Sequence, residues 1–337
     1  MLRRTILYIC LISILTSISG LFAQDHYYAA FNNARVRPIA MGGAFTSIED
    51  DVESVLYNPG CFNLYKYPKD FKVTVFMNPL MSLLAFQHYS DNFSKNPDRR
   101  DFLNATALLF KSVVISIRQF ETGVVIGEES FNNVMVNKQS RVFAYNNLWN
   151  DNSNTVFMKL RLAQRVSIGV NGTYYQRKID EKNEDGIGFS YGIVLKPNDK
   201  LNVGLSYIDL PDKMADYRVR LERIFDETMN VGMSYNLFKG TTLALDVRNL
   251  TEENKDNVRE FHFGFEQRIF NILALRGGYF KERFTDNETF SAGIGLIDSN
   301  IFFSGDDKFN HHDYMINYSF VHDESREWHM FSFLWRF

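Results

Sequence analysis

Cysteine and proline are scarce in this chain of 337 residues, which has 2 and 7 of them, and neither charge sign dominates, with 37 Lys and Arg against 40 Asp and Glu. So few cysteines exclude a disulfide scaffold. A hydrophobic content of 45% with so little proline excludes collagen and disorder. The formal net charge of -3 excludes a nucleic-acid-coating protein, because neutralising phosphates takes a clustered excess of Lys and Arg. Long apolar runs are missing as well. After the first two dozen residues none approaches the roughly 18–20 residues of a spanning helix, and the mean hydropathy is -0.24. A helical membrane protein is therefore excluded, but a membrane role is not.

Residues 1–23 read as a secretory signal, with Arg3 and Arg4 as the positive start, Ile6 to Leu15 as the apolar segment and Leu21-Phe22-Ala23 as the cleavage site. No Cys follows the apolar segment to carry a lipid anchor. Losing two cations takes the net charge of -3 to -5, and losing Cys10 leaves Cys61 alone. A single thiol makes no intramolecular disulfide, so hydrogen bonding and burial must hold the mature chain together.

From about Phe71 onward the dominant period is two, the signature of half-buried strands. In Thr242 to Arg248, Leu243, Leu245 and Val247 share one face, and Asp246 and Arg248 the other. In Glu260 to Arg268, Phe261, Phe263 and Phe265 oppose Glu260, His262, Glu266 and Arg268. The alternation recurs in Val156 to Leu162, Val166 to Arg177, Leu201 to Tyr207, Met229 to Leu237, Phe290 to Leu296 and Tyr314 to Phe320. Such strands suit either a soluble sandwich or an outer-membrane barrel with lipid outside and a polar lumen.

The connections separate the two. Ala163 to Arg165, Pro197 to Lys200, Phe238 to Gly240 and Phe270-Asn271 are tight. Lys178 to Asp185, Pro211 to Phe225, Thr251 to Asn257 and Lys281 to Asn287 are longer and rich in charge or Asn. Short turns at one rim and long loops at the other are what a membrane barrel predicts. The same parity puts His322 to Arg326 outside and the chain end in the periplasm, with Asp298 to His312 long for a periplasmic turn. In the final strand Phe331, Phe333, Trp335 and Phe337 alternate with Ser332 and Arg336. A strand of this kind resembles the signal read by the barrel assembly machinery, with Phe333, Trp335 and Phe337 as its residues. About fourteen to sixteen strands of roughly 9–11 residues fit the length.

Ahead of the meander lies a stretch without period two. It runs through Ala34-Arg35, Met41-Gly42-Gly43-Ala44, Asp50-Asp51 and Tyr57-Asn58-Pro59-Gly60. Gly42 and Gly43 permit close backbone approach, Ser47 or Asp50 caps a short helix through Leu56, and Asn58-Pro59-Gly60 stops it. At these residues the chain resembles the PorV/PorQ family of outer-membrane proteins and, more distantly, the FadL-type transporters of hydrophobic compounds. Thr241 to Val247 and Ile272 to Tyr279 are similar to that family's C-terminal strands, while Gly60-Cys61 replaces its usual Ala-Gly. The resemblance implies a fourteen-stranded barrel with an N-terminal hatch. It also implies one of two roles: passage of a hydrophobic small molecule, or service as a carrier or docking barrel with the proteins of a type IX secretion system.

No catalytic set emerges. His88-Tyr89-Ser90 puts a base and a hydroxyl on one strand face, but no third orienting residue accompanies them. Asp50-Asp51 suits a helix N-terminus as well as a metal, and His311-His312-Asp313 with Asp306 and Asp307 lacks spaced partners. Gly293-Ile294-Gly295 and Gly186-Ile187-Gly188 read as places where a plug or another backbone approaches. Lys159, Arg161, Asp246, Arg248, Glu260, Glu266, Arg268, Arg276 and Arg336 are the expected lumen charges, either a self-neutralising network or the lining of a ligand path.

The sequence thus predicts an all-β protein. Residues 1–23 are the signal peptide, 24–68 the N-terminal hatch or plug, and 69–337 a transmembrane antiparallel β-barrel of about 14 strands in the bacterial outer membrane. It is surrounded by outer-membrane lipid, binds no cofactor, metal or nucleic acid, and is not an enzyme. A secreted soluble β protein is the competing class.

Overall fold

In the computed structural model the described residues are 27–30, 35–49, 52–61, 71–79, 82, 103, 106–129, 152–179, 182–209, 227–250, 259–269, 272–281, 288–296, 313–323 and 326–336. The expected signal peptide, His88 to Ser90 and residues 298–312 lie outside them.

A four-residue strand β1 (Tyr27–Ala30) comes first, then helix α1 (Val36–Ala40) and a 3-10 turn (Val52–Leu56). The wall follows: β2 (Phe71–Met77), β3 (Phe110–Ile117), β4 (Phe120–Glu129), β5 (Asn152–Ala163), β6 (Val166–Ile179), β7 (Lys182–Leu195) and β8 (Leu201–Asp209). It continues with β9 (Glu227–Phe238), β10 (Thr241–Arg248), β11 (Glu260–Ile269), β12 (Leu273–Lys281), β13 (Glu288–Leu296), β14 (Asp313–Asp323) and β15 (Arg326–Arg336). Each wall strand pairs antiparallel with its neighbour in sequence, and β15 pairs with β2, so β2 to β15 close a ring of fourteen. Closure removes the exposed edges that an open sheet of this length would leave.

The seam has two parts. β2 meets β15 only at Trp335↔Met77 and Arg336↔Phe76. Nearer the start of β15, β1 lies parallel to it from Tyr27↔Glu327 to Ala30↔Met330. Period two alone does not reveal a parallel strand of four residues.

The side chains alternate across the wall. On β5, Val156, Met158, Leu160 and Leu162 are exposed, while Thr155, Phe157 and Lys159 are buried. On β11, Phe261, Phe263 and Phe265 are exposed, and Glu260, His262 and Glu266 are buried. Aromatic neighbours tile the outer face, with ring centroids 6.4 Å apart for Phe263 and Tyr279 and 5.0 Å for Tyr279 and Phe290. An apolar outside around a charged inside is the reverse of a soluble fold and suits a bilayer.

Four tight turns gather at one rim, Arg118-Gln119, Gln164-Arg165, the stretch from Lys196 to Lys200, and Lys239-Gly240, while the short connections from β6 to β7 and from β14 to β15 lie at the other. The expected loop from Lys178 to Asp185 is corrected by the structure, because β6 and β7 stay paired out to Ile179↔Lys182. In the same way β14 and β15 stay paired to Asp323↔Arg326, which shortens the expected loop of His322 to Arg326. Past the apolar band of the outer face a ladder needs no apolar residues, so its polar ends look like loop in sequence.

The core lies inside the ring. Residues 35–49 and 52–61 lie in the interior and pack on three parts of the wall. Val36 and Ile39 meet Val321, Trp328 and Met330. Val52 and Val55 meet Phe76, Val114, Val125, Phe157 and Leu334. Met41, Ala44, Phe45, Ile48 and Tyr57 gather against Ala244. The short helix expected through Leu56 is a 3-10 turn, and α1 is a further element that the sequence pattern did not place. Pro38 is tolerated in the first turn of α1, where its missing N–H has no intrahelical partner to lose.

Candidate functional site: the barrel interior

A girdle of small residues lets the inner segment approach the wall. Gly169, Gly192, Gly204, Gly232, Gly264, Gly278 and Gly293 lie on β6, β7, β8, β9, β11, β12 and β13, with Ala244 on β10. A Cβ on Gly278 would stand 1.9 Å from Gly42 N, one on Gly204 2.0 Å from Thr46 O, and one on Gly169 2.3 Å from Pro59 O. Gly293 faces the Cβ of Ala40 in the same way. Backbone meets backbone here, as residues 42 and 43 require. Gly42 and Gly43 adopt φ of +61° and +74°, a region that other residues rarely enter.

Polar wall residues secure each turn of the segment. Asp246 Oδ2 accepts from the backbone N–H of both Phe45 and Thr46 at 2.8 Å. Arg248 donates to Gly43 O. His262 Nδ1 lies 2.7 Å from Gly42 O, and Gly42 N donates to Ser291 Oγ at 3.1 Å. The Asn58 amide donates to Thr46 O at 2.8 Å and also reaches Ile193 O and Leu205 O, while its Oδ1 accepts from Gly60 N. Asn171 donates to Val55 O at 2.9 Å and Ser167 to Gly60 O at 2.8 Å. A buried carbonyl or N–H without a partner costs about 1–3 kcal/mol, so these side chains do for the segment what a sheet does for a strand.

Glu266 is the electrostatic hub. Arg37 of the segment binds it with Nε at 2.9 Å and Nη2 at 3.0 Å, Arg268 donates at 2.9 Å and Arg276 at 2.7 Å. Arg276 also donates to Asn317 at 2.8 Å, and Arg37 N donates to Glu53 at 3.1 Å. Lys159 pairs with Glu121 at 3.1 Å, both buried. The Arg248 guanidinium lies 5.2 Å from the Tyr57 ring centre, a cation–π contact.

Lys159, Asp246, Arg248, Glu260, Glu266 and Arg276 are therefore buried on the inner face, with Arg161 and Arg268 partly exposed. Of the segment residues singled out in the sequence, Gly42, Gly43, Asn58 and Pro59 contact the wall, while Asp50 and Asp51 lie outside the described residues. Phe333 and Trp335 alternate with the buried Ser332 and Leu334, and Phe337 lies outside the described residues. Arg37, Glu53, Glu121 and Asn317 carry much of the network without having been singled out. His262 shares a face with Glu260 and Glu266 and was within reach of the same pattern.

A cavity of about 560 Å³ opens at the short-turn end, between the segment and the wall. Arg37, Glu49, Arg161, Arg165, Lys196, Asp199 and Arg268 are among its lining, with Ile48, Val166 and Val194 as its apolar patches. Among the described residues no group of three or more His, Cys, Asp or Glu is placed to hold a metal.

No protein-family model and no curated protein matches the chain. Among solved structures it is similar to variants of the Rhodopseudomonas blastica porin. A triple mutant is 13% identical over 67% of this chain and 75% of that one, with a TM-score of 0.37. Another variant is 14% identical with the same coverage and TM-score. The fold assignment rests on the closed ring of paired strands.

Proposed function

We propose that the protein is an outer-membrane β-barrel that passes hydrophobic compounds, of the PorV/PorQ type, with residues 24–68 as its N-terminal hatch. The observation that carries this reading is a closed ring of fourteen strands, apolar outside, around a chain segment held by polar contacts. The hydrogen bonds and ion pairs in that fastening exchange more readily than the apolar clusters beside them, which suits a segment that shifts to open a path. A deletion strain compared with its complemented parent tests this: uptake of long-chain apolar solutes should fall on deletion and return with the gene. Unchanged uptake would sink it. A second reading, a docking barrel in type IX secretion, is favoured by how completely the segment is fastened, because a permanently filled lumen serves attachment better than passage. Co-isolation of secretion proteins from the native membrane in mild detergent, with uptake unaltered, is its expected outcome.

A further inference from the structure

The cavity at the short-turn rim carries more positive than negative charge. Five cations line it, Arg37, Arg161, Arg165, Lys196 and Arg268, against the carboxylates of Glu49 and Asp199. Lys196 pairs with Glu49, and Arg37 and Arg268 share Glu266 behind the lining. Counting Glu266 with the other two carboxylates still leaves five cations against three. Arg161 and Arg165 enter from the end of β5 and its turn, and Arg165 Nη1 donates to Pro197 O at 2.9 Å, which braces that guanidinium across to the next short turn. A cleft with an excess of one sign focuses its field, and guanidinium forks match the geometry of carboxylate and phosphate. Its volume lies within the usual range for small-molecule sites.

We propose that this cavity binds a small multivalent oxyanion, a phosphate- or carboxylate-bearing solute, entering from the short-turn side. This reading does not rest on the passage of hydrophobic compounds, and either can fail without the other. The test uses the full barrel in mild detergent at low ionic strength, titrated calorimetrically with pyrophosphate and with citrate. At least one probe should bind, and its affinity should fall steeply as sodium chloride is added. Arg161→Gln with Arg165→Gln should weaken binding tenfold or more, while Asp199→Asn should strengthen it. A preference for pyrophosphate identifies a phosphate ligand, and a preference for citrate a carboxylate. Heat with neither probe overturns the proposal, as does unchanged affinity in the double variant with its gel shift on heating intact. Should that variant fail to assemble, the wild-type salt dependence and Asp199→Asn decide: binding insensitive to both would overturn it.

Discussion

Glu266 shows how much one side chain holds in this protein. Three guanidinium groups converge on it, one from the segment and two from the wall. Breaking a buried pair by removing one partner typically costs about 3–5 kcal/mol, because the remaining charge is left buried without its counterion. Glu266→Gln should therefore lower the temperature at which the compact form is lost on an unboiled gel, whereas Glu288→Gln on the exposed start of β13 should not. Equal transition temperatures would refute the hub role. Cys61 makes a second residue-scale case. It is fully buried, its thiol donates to Thr46 O, and burial above all pushes its pKa well above the ordinary value, with Glu49 adding to the shift. The thiolate is the reactive form, so a maleimide at neutral pH should leave the folded barrel unlabelled and modify it fully after denaturation. Rapid labelling of the folded protein, followed by mass spectrometry, would contradict this.

At the scale of elements, β12 offers a matched pair of neighbouring glycines. Gly278 faces inward against Gly42, while a Cβ on Gly277 meets nothing within 4 Å. Gly278→Val should displace the inner segment, exposing residues 35–61 to protease and raising single-channel conductance in a planar bilayer. Gly277→Val should leave both unchanged. Similar behaviour of the two variants would mean that the girdle does not position the segment. The strands themselves were legible because an apolar outer face and a polar inner one impose period two along them. Thr242 to Arg248 and Glu260 to Arg268 were read almost to the residue as β10 and β11. The far ends of β6 and β7 were not, because Lys178, Asn183 and Glu184 continue the ladder where no apolar face is needed. The interior site was only half legible. Wall charges announce themselves by alternation, but that Asp246 accepts from Phe45 and Thr46, 200 residues away, follows from three-dimensional closure alone.

For the whole molecule, closure by β15 against β2 predicts a compact species that resists detergent. The native protein should run at a different mobility when unboiled than when boiled, and a single mobility would favour the soluble sandwich class instead. Deleting Trp335 to Phe337 removes both residue pairs that join β15 to β2. The truncated protein should lose the heat-shifted band and accumulate unassembled.

The two-part seam sets an order of events for biogenesis. β15, near the end of the chain, is flanked by β1 at one height and β2 at another, and between those two strands in sequence lies the segment that fills the lumen. The first residues must thus wait for the last, and the ring shuts around a filling whose backbone touches nearly every strand from β6 to β13. The wall is thus expected to form on the segment as on a mould. A barrel synthesised without residues 35–61 would have no template for its girdle, and supplying the missing peptide afterwards would come too late to give it one.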